Sequence, residues 1–118
     1  MEQGKRACFA LIAATLVNKL RYNGVFDFQL NKYINISSTG INNSYKSFFD
    51  YGRGGYVSGN DKSMYDYPSS SYVTIVIRNN VVECFDYESG RYVLFTVRNR
   101  NISAFDYQTS RYYNYGAS

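Results

Sequence analysis

Five aspartates recur along the chain, and carboxylates repeated at similar intervals could hold a metal ion or move a proton. They are Asp27, Asp50, Asp66, Asp86 and Asp106, and each has a Phe or Tyr on both sides. A tyrosine follows six residues after each aspartate, and a residue that tolerates a turn or a left-handed backbone follows four residues after it. Because Asp side chains accept hydrogen bonds from turn amides, we interpret these carboxylates as turn caps rather than as a metal or acid–base site.

Other catalytic chemistry is poorly represented in this sequence. The chain has no histidine, which excludes a Ser-His-Asp triad, a histidine base and histidine-ligated zinc. Cys8 and Cys84 are far apart in apolar surroundings, which favours two buried free thiols, with a disulfide as the alternative in an oxidising compartment. The glycine-rich residues 52–55 match turn chemistry better than a phosphate loop. We therefore expect a protein that is not an enzyme and that holds no metal or cofactor.

The segments around the aspartates have the composition of β-hairpins. Aromatic and β-branched residues flank short runs of turn formers, and the unit repeats about every 20 residues. Two loop lengths fit this pattern. A three-residue loop would place each aspartate opposite the tyrosine of its hairpin. A four-residue loop would place it opposite the preceding residue, which is Lys32, Arg91 or Arg111 in three of the copies.

Five hairpins joined by short turns form an antiparallel meander, because all their contacts are local. Such repeats can form one long curved sheet, a closed or nearly closed barrel, or a small solenoid. We predict an α+β fold that is mostly antiparallel β, with an N-terminal helix against the concave side of a curved meander of five hairpin repeats. We also predict a single domain over residues 1–118, with the helix within 1–24 and the hairpin sheet in 25–118.

The N-terminal segment predicts a helix over about residues 5–22. Asn23-Gly24 would form its C-cap, with Lys19 and Arg21 in its last turn. The run Ala7–Ala14 is apolar on nearly every face, so the helix needs burial on several sides. We therefore expect the helix to lie between the sheet and a second subunit, in a homo-oligomer.

The same N-terminal segment has part of the outline of a secretion signal. Lys5-Arg6 precedes the apolar run, but no convincing small-x-small cleavage site follows it. The run is too short to span a bilayer, so we expect no membrane span and favour a cytoplasmic location.

The composition directs the functional hypothesis toward a binding surface. The chain has 14 Tyr, and its 13 Lys and Arg against nine Asp and Glu give a net charge of +4. Tyr and Arg dominate binding energy at protein interfaces, so we predict a protein-interaction module, a stoichiometric binder or inhibitor of a larger protein or nucleoprotein complex. Basic residues beside aromatic ones also suit single-stranded nucleic acid, which is the alternative. The predicted partner-binding residues are Arg91, Tyr92, Arg111, Tyr112 and Tyr113.

Two weak resemblances accompany these patterns. The segment from Ile102 to Arg111 resembles the strand–turn piece of quinoprotein-type propeller blades. The spacing of the aromatic hairpins is similar to that of cell-wall-binding repeats, whose Trp and Gly pattern is absent here. Neither resemblance covers enough of the chain to carry a function over to it.

Overall fold

The computed structural model describes residues 1–39 and 44–118, which form one helix and ten β-strands. Helix α1 spans Gln3–Asn18. The strands are β1 Gly24–Asp27, β2 Lys32–Thr39, β3 Lys46–Asp50, β4 Gly55–Gly59, β5 Ser63–Asp66, β6 Ser71–Arg78, β7 Val81–Asp86, β8 Arg91–Arg98, β9 Asn101–Asp106 and β10 Arg111–Ala117.

The strands pair as five hairpins, each closed by a four-residue loop that follows a repeat aspartate. Asp86 lies opposite Arg91, and Asp106 lies opposite Arg111, so the four-residue loop is the register that the chain adopts. The last loop residue is left-handed in every hairpin, with φ between 52° and 70°. Gly54 and Gly90 adopt this conformation without the steric cost that a side chain would add.

The ten strands form a single antiparallel meander that closes on itself. Each strand pairs with its neighbours in the chain, and β1 pairs with β10, where Val25 lies opposite Ala117. The predicted helix and antiparallel hairpin meander are therefore confirmed, and the closed barrel is the form that the sheet takes. Closure leaves no unpaired strand edge among these ten strands.

Helix α1 lies inside the barrel and fills it. Its residues from Lys5 to Leu16 are all buried, and those from Ala7 to Leu11 have no exposed surface. They form one apolar core with the inward-facing strand residues. The sheet itself thus surrounds the helix on all sides, which is the burial that its all-round apolar sequence requires. Across residues 1–39 and 44–118, no helix has the length and apolar character that a membrane span needs.

The helix ends earlier than the sequence predicted. The predicted C-cap at Asn23-Gly24 is wrong, because Lys19 takes the left-handed cap conformation and donates its amide hydrogen to the carbonyl of Thr15, 2.8 Å away. Lys19 and Arg21 therefore lie beyond the last turn. Gly24 belongs to β1 instead, where an added Cβ would overlap the hydroxyl of Tyr33.

The two cysteines are buried and free, as predicted. Cys8 lies on α1, and Cys84 points inward from β7. Burial raises the pKa of both thiols well above the ordinary value. Both side chains therefore act as small apolar groups in the core.

Candidate functional site

The five repeat aspartates line the inside of one end of the barrel, and we call them the Asp ring. None is more than 1% exposed. Their carboxylates accept hydrogen bonds from loop amides, as predicted. The Asp27 Oδ1 accepts from the amides of Gln29 and Leu30 at 3.0 and 3.2 Å, and the Asp50 Oδ1 accepts from the amide of Gly52 at 2.9 Å.

Positive groups alternate with these carboxylates around the ring. The Arg53 Nε lies 2.6 Å from Asp50, while its two terminal nitrogens donate to both oxygens of Asp66 at 2.9 and 2.8 Å. Lys5 Nζ lies 2.6 Å from Asp86 and 4.0 Å from Asp66. Because Arg53 and Lys5 each lie between two aspartates, the charges of neighbouring hairpins are linked through them.

The positive groups that neutralise Asp106 belong to Met1 and Arg6. The amino group of Met1 lies 3.0 Å from its carboxylate, and the Arg6 Nη1 donates to it at 2.9 Å. Arg6 also donates its Nε hydrogen to the Tyr115 hydroxyl at 2.9 Å, and its guanidinium carbon lies 3.5 Å from the centre of the Tyr113 ring. These contacts anchor the first turn of α1 to β9 and β10.

The ring contains five carboxylates and four positive groups, and Asp27 is the member with no basic partner among the described residues. Burial alone would raise the pKa of Asp86, but the hydrogen bond and charge of Lys5 outweigh it and hold that pKa below its ordinary value. Burial raises the pKa of Tyr115 to about 12, against the opposing effect of Arg6. Asp86 is therefore held ionised and Tyr115 neutral near pH 7.

Most of the charges in the Asp ring are paired with one another. In the part of the chain that the structure describes, no three Cys, Asp or Glu side chains are grouped so that they could hold a metal ion. The carboxylates have little or no exposed surface, and four of the five are bonded to cations. The sequence did not point to Lys5, Arg6 or Arg53 as partners. The one available signal was that Lys5-Arg6 directly precedes a run with no other charge.

The outer face of the same barrel end carries a ring of aromatic side chains, which we call the aromatic collar. Side chains alternate between the faces of a strand, so the aromatic neighbours of each inward aspartate point outward. The ten strongly exposed members are 43–71% exposed. They are Phe28, Tyr33, Tyr51, Tyr56, Tyr67, Tyr72, Tyr87, Tyr92, Tyr107 and Tyr112.

Ring contacts fix both collar residues in four of the hairpins, and in the first hairpin they join Phe26 to Phe28. In the fourth hairpin the half-buried Phe85 packs against Tyr87 and Tyr92, with ring centres 5.0 and 4.8 Å apart and edge-to-face geometry. The second, third and fifth hairpins repeat this three-ring arrangement. Because edge-to-face pairs are favourable in themselves, the exposed rings are held in place before any partner binds.

The five predicted partner-binding residues lie on different faces of this barrel end. Tyr92 and Tyr112 point outward and belong to the collar. Arg91 and Arg111 are exposed at the rim, on the strand face that carries Asp86 and Asp106. The structure does not bring Tyr113 to the collar, because it points inward and lies under the guanidinium of Arg6.

Burial of the Asp ring changes the charge that the surface presents. The sequence has 13 basic and nine acidic side chains. Five acidic ones are buried in the ring, together with Lys5, Arg6 and the largely buried Arg53. Ten basic and four acidic side chains remain toward solvent, so the positive excess rises from four to six. The outer surface is thus more basic than the composition indicates.

Comparison of the chain with protein-family models, curated proteins and solved structures finds no match.

The Asp ring leads to a prediction about stability. Turn capping alone would make Asp86→Asn cost about 1 kcal/mol. Because the substitution also removes the shortest ion pair of the buried Lys5, which keeps Glu88 at 3.5 Å and Asp66 at 4.0 Å, we expect a total loss of about 3 kcal/mol in the free energy of unfolding. Asp27→Asn is the matched control, since Asp27 bonds amides and has no cation, and it should lose about 1 kcal/mol. Urea unfolding of both variants measures the difference, and equal losses would contradict the ion-pair role.

The stabilisation that Asp86 contributes should depend on pH. The folded state holds the pKa of Asp86 below its unfolded value, so the stabilisation is complete above the unfolded pKa. It decreases as the pH falls below about 4 toward the folded pKa. The stability difference between the wild type and Asp86→Asn should therefore narrow in acid.

Proposed function

We propose that the protein is a non-catalytic interaction module that binds a protein partner stoichiometrically through the aromatic collar. The carrying observation is the ring of ten exposed Phe and Tyr side chains around one end of the barrel. Exposed aromatic surface of this extent is a common feature of protein-binding sites. Tyr side chains are frequent hot spots because they bury large area and lose few rotamers on binding.

The filled interior of the barrel supports binding at the surface. Barrels that bind small molecules usually hold them in the lumen or at its mouth. Here α1 occupies the lumen, with Phe9, Leu11 and Ile12 at most 1% exposed. The Asp ring and its cations occupy one mouth. The outer face is then the part of the molecule most suited to recognition.

The rim arginines extend the proposed surface beyond the collar. Arg91 and Arg111 begin equivalent strands of neighbouring hairpins, which places them two strands apart, at roughly 10 Å. Like charges at this spacing contribute nothing favourable to folding, whereas an acidic patch on a partner would be attracted to both.

Self-association is a separate part of the proposal. The sequence predicted it because the apolar helix needs burial on several sides. The barrel of the same chain provides that burial, so the helix does not require a second subunit. A dimer would therefore have to form through the collar or another outer surface, and sedimentation at micromolar concentration would detect it.

Substitution of collar residues tests the proposed function directly. We expect Tyr87→Ser with Tyr107→Ser to abolish capture of the partner from a nuclease-treated lysate of the native host, because hot-spot tyrosines contribute about 2 kcal/mol or more each. Tyr45→Ser is the matched control, since Tyr45 is 62% exposed and lies outside the collar. The wild type and the control should capture the same partner.

Two outcomes would count against this proposal. Equal capture by the double variant, with the folding of both proteins verified by circular dichroism, would remove the collar from the interface. Capture that disappears on nuclease treatment would favour nucleic acid as the partner instead.

The rim arginines carry their own prediction. Arg91→Gln with Arg111→Gln should weaken partner binding about tenfold and reduce its dependence on ionic strength, because rim charges act mainly through electrostatic attraction. Arg78→Gln is the control, since Arg78 is also exposed but lies at the end of β6, away from the repeat loops. Unchanged affinity in the double variant would show that these arginines are solvent-exposed residues that do not contribute to partner binding.

A further inference from the structure

The aromatic collar is interrupted between the last hairpin and the first. Between the fourth and fifth hairpins, the loop amide of Tyr107 donates to the carbonyl of Tyr92, which places two collar residues side by side. At the junction of β10 and β1, the equivalent amide of Phe28 donates instead to the carbonyl of Asn114, at 3.2 Å. Asn114 lies two residues beyond Tyr112, so the first hairpin is displaced along the barrel axis.

This displacement opens a groove of about 490 Å³ on the outer wall, which we call the seam groove. Its volume lies within the range of roughly 300–1,000 Å³ that small-molecule sites occupy. Its main lining residues are Phe28, Arg98, Asn101, Ser103, Tyr112 and Asn114. These residues come from β8, β9, β10 and the first hairpin loop, so the groove extends from β8 to the first hairpin across the barrel wall.

The shape of the groove follows from small residues between large ones. Ser103 and Asn114 lie opposite each other on β9 and β10. Gly116 has no side chain, and the ring of Phe28 lies beside it, 3.4 Å from where a Cβ would be. Tyr112 is 71% exposed and Phe28 is 57% exposed. Two accessible aromatic rings therefore border a shallow polar floor.

The polar side chains of the groove are free to bind. Among the residues that the structure describes, those of Arg98, Asn101, Ser103 and Asn114 make no hydrogen bond or ion pair with the rest of the chain. Arg98 lies opposite Asn101, so both side chains leave the same face of the sheet, and both line the groove. No carboxylate lines the groove, and its single charge is positive.

We propose that the seam groove binds a nucleotide unit of single-stranded nucleic acid. Tyr112 and Phe28 provide faces on which a base stacks, since every base has a π-face and stacking tolerates any sequence. The amides of Asn101 and Asn114 and the Ser103 hydroxyl can bond the base edge or the sugar. Arg98 neutralises a phosphate, with the excess of six positive side chains on the surface attracting the strand.

The charge of the groove is the reason to choose a nucleotide over a neutral sugar. Aromatic rings and amides would serve both ligands, but an unpaired arginine in a site without carboxylates favours an anionic group. The groove and the proposed protein-binding surface share Phe28 and Tyr112, which also belong to the collar, whereas Arg98, Asn101, Ser103 and Asn114 lie outside the collar.

Binding of a fluorescein-labelled oligothymidylate, followed by anisotropy, tests this proposal. Ser103→Tyr fills the floor without changing charge and should weaken binding about tenfold or more, as should Tyr112→Ser, which removes a stacking face. Arg98→Gln should weaken binding and reduce the slope of log affinity against log salt concentration by about one. Arg78→Gln and Tyr45→Ser, which alter an exposed arginine and an exposed tyrosine outside the groove, should stay within about twofold of the wild type.

Several results would overturn the proposal. They are no binding of the oligonucleotide by the wild type at micromolar concentration, unchanged affinity in folded Ser103→Tyr, or an equal loss in Arg78→Gln, which would indicate attraction by charge alone. Preference for a labelled neutral oligosaccharide would also overturn it. Because Ser103→Tyr leaves the tyrosines of the collar in place, partner capture by this variant separates failure of the groove from failure of the collar.

Discussion

Neutralising five carboxylates inside a barrel is the constraint on which this structure depends. The hairpin loops need the aspartates as caps, and strand alternation directs those side chains inward, where an unpaired charge costs several kcal/mol. Lys5 and Arg6 on the first turns of α1, with Arg53 from a loop, provide the opposing charge. The helix is therefore placed inside the barrel by ion pairs at one end as well as by its apolar length.

The inner arrangement determines what the outer surface can be. Because each aspartate points inward, its aromatic neighbours point outward, and the hairpin repeat produces the collar as a consequence of the two-residue period of a strand. Burial of the acids also leaves the outside basic. The first hairpin departs from the repeat, since its register with the last hairpin is displaced, and the seam groove lies at this junction.

The features that could be predicted from the sequence are those that local chemistry determines. The hairpins, the left-handed residue four places after each aspartate, the capping role of Asp27 or Asp50 and the free state of Cys8 and Cys84 all follow from short segments. Closure could not be predicted, because it depends on pairing between β1 and β10, which are distant in the chain. The partners of Asp86 and Asp106 were missed for the same reason, and Asn23-Gly24 was misassigned because a good capping sequence also suits entry into a strand.

Amide hydrogen exchange of α1 tests the central claim most directly. If the barrel encloses the helix and ion pairs fix its first turn, the amides of Ala7–Leu16 should exchange as slowly as those of the central strands β7–β9, and only through global unfolding. Exchange of these helix amides at a lower opening free energy than the strands would contradict the account. It would show that α1 leaves the barrel while the sheet remains folded.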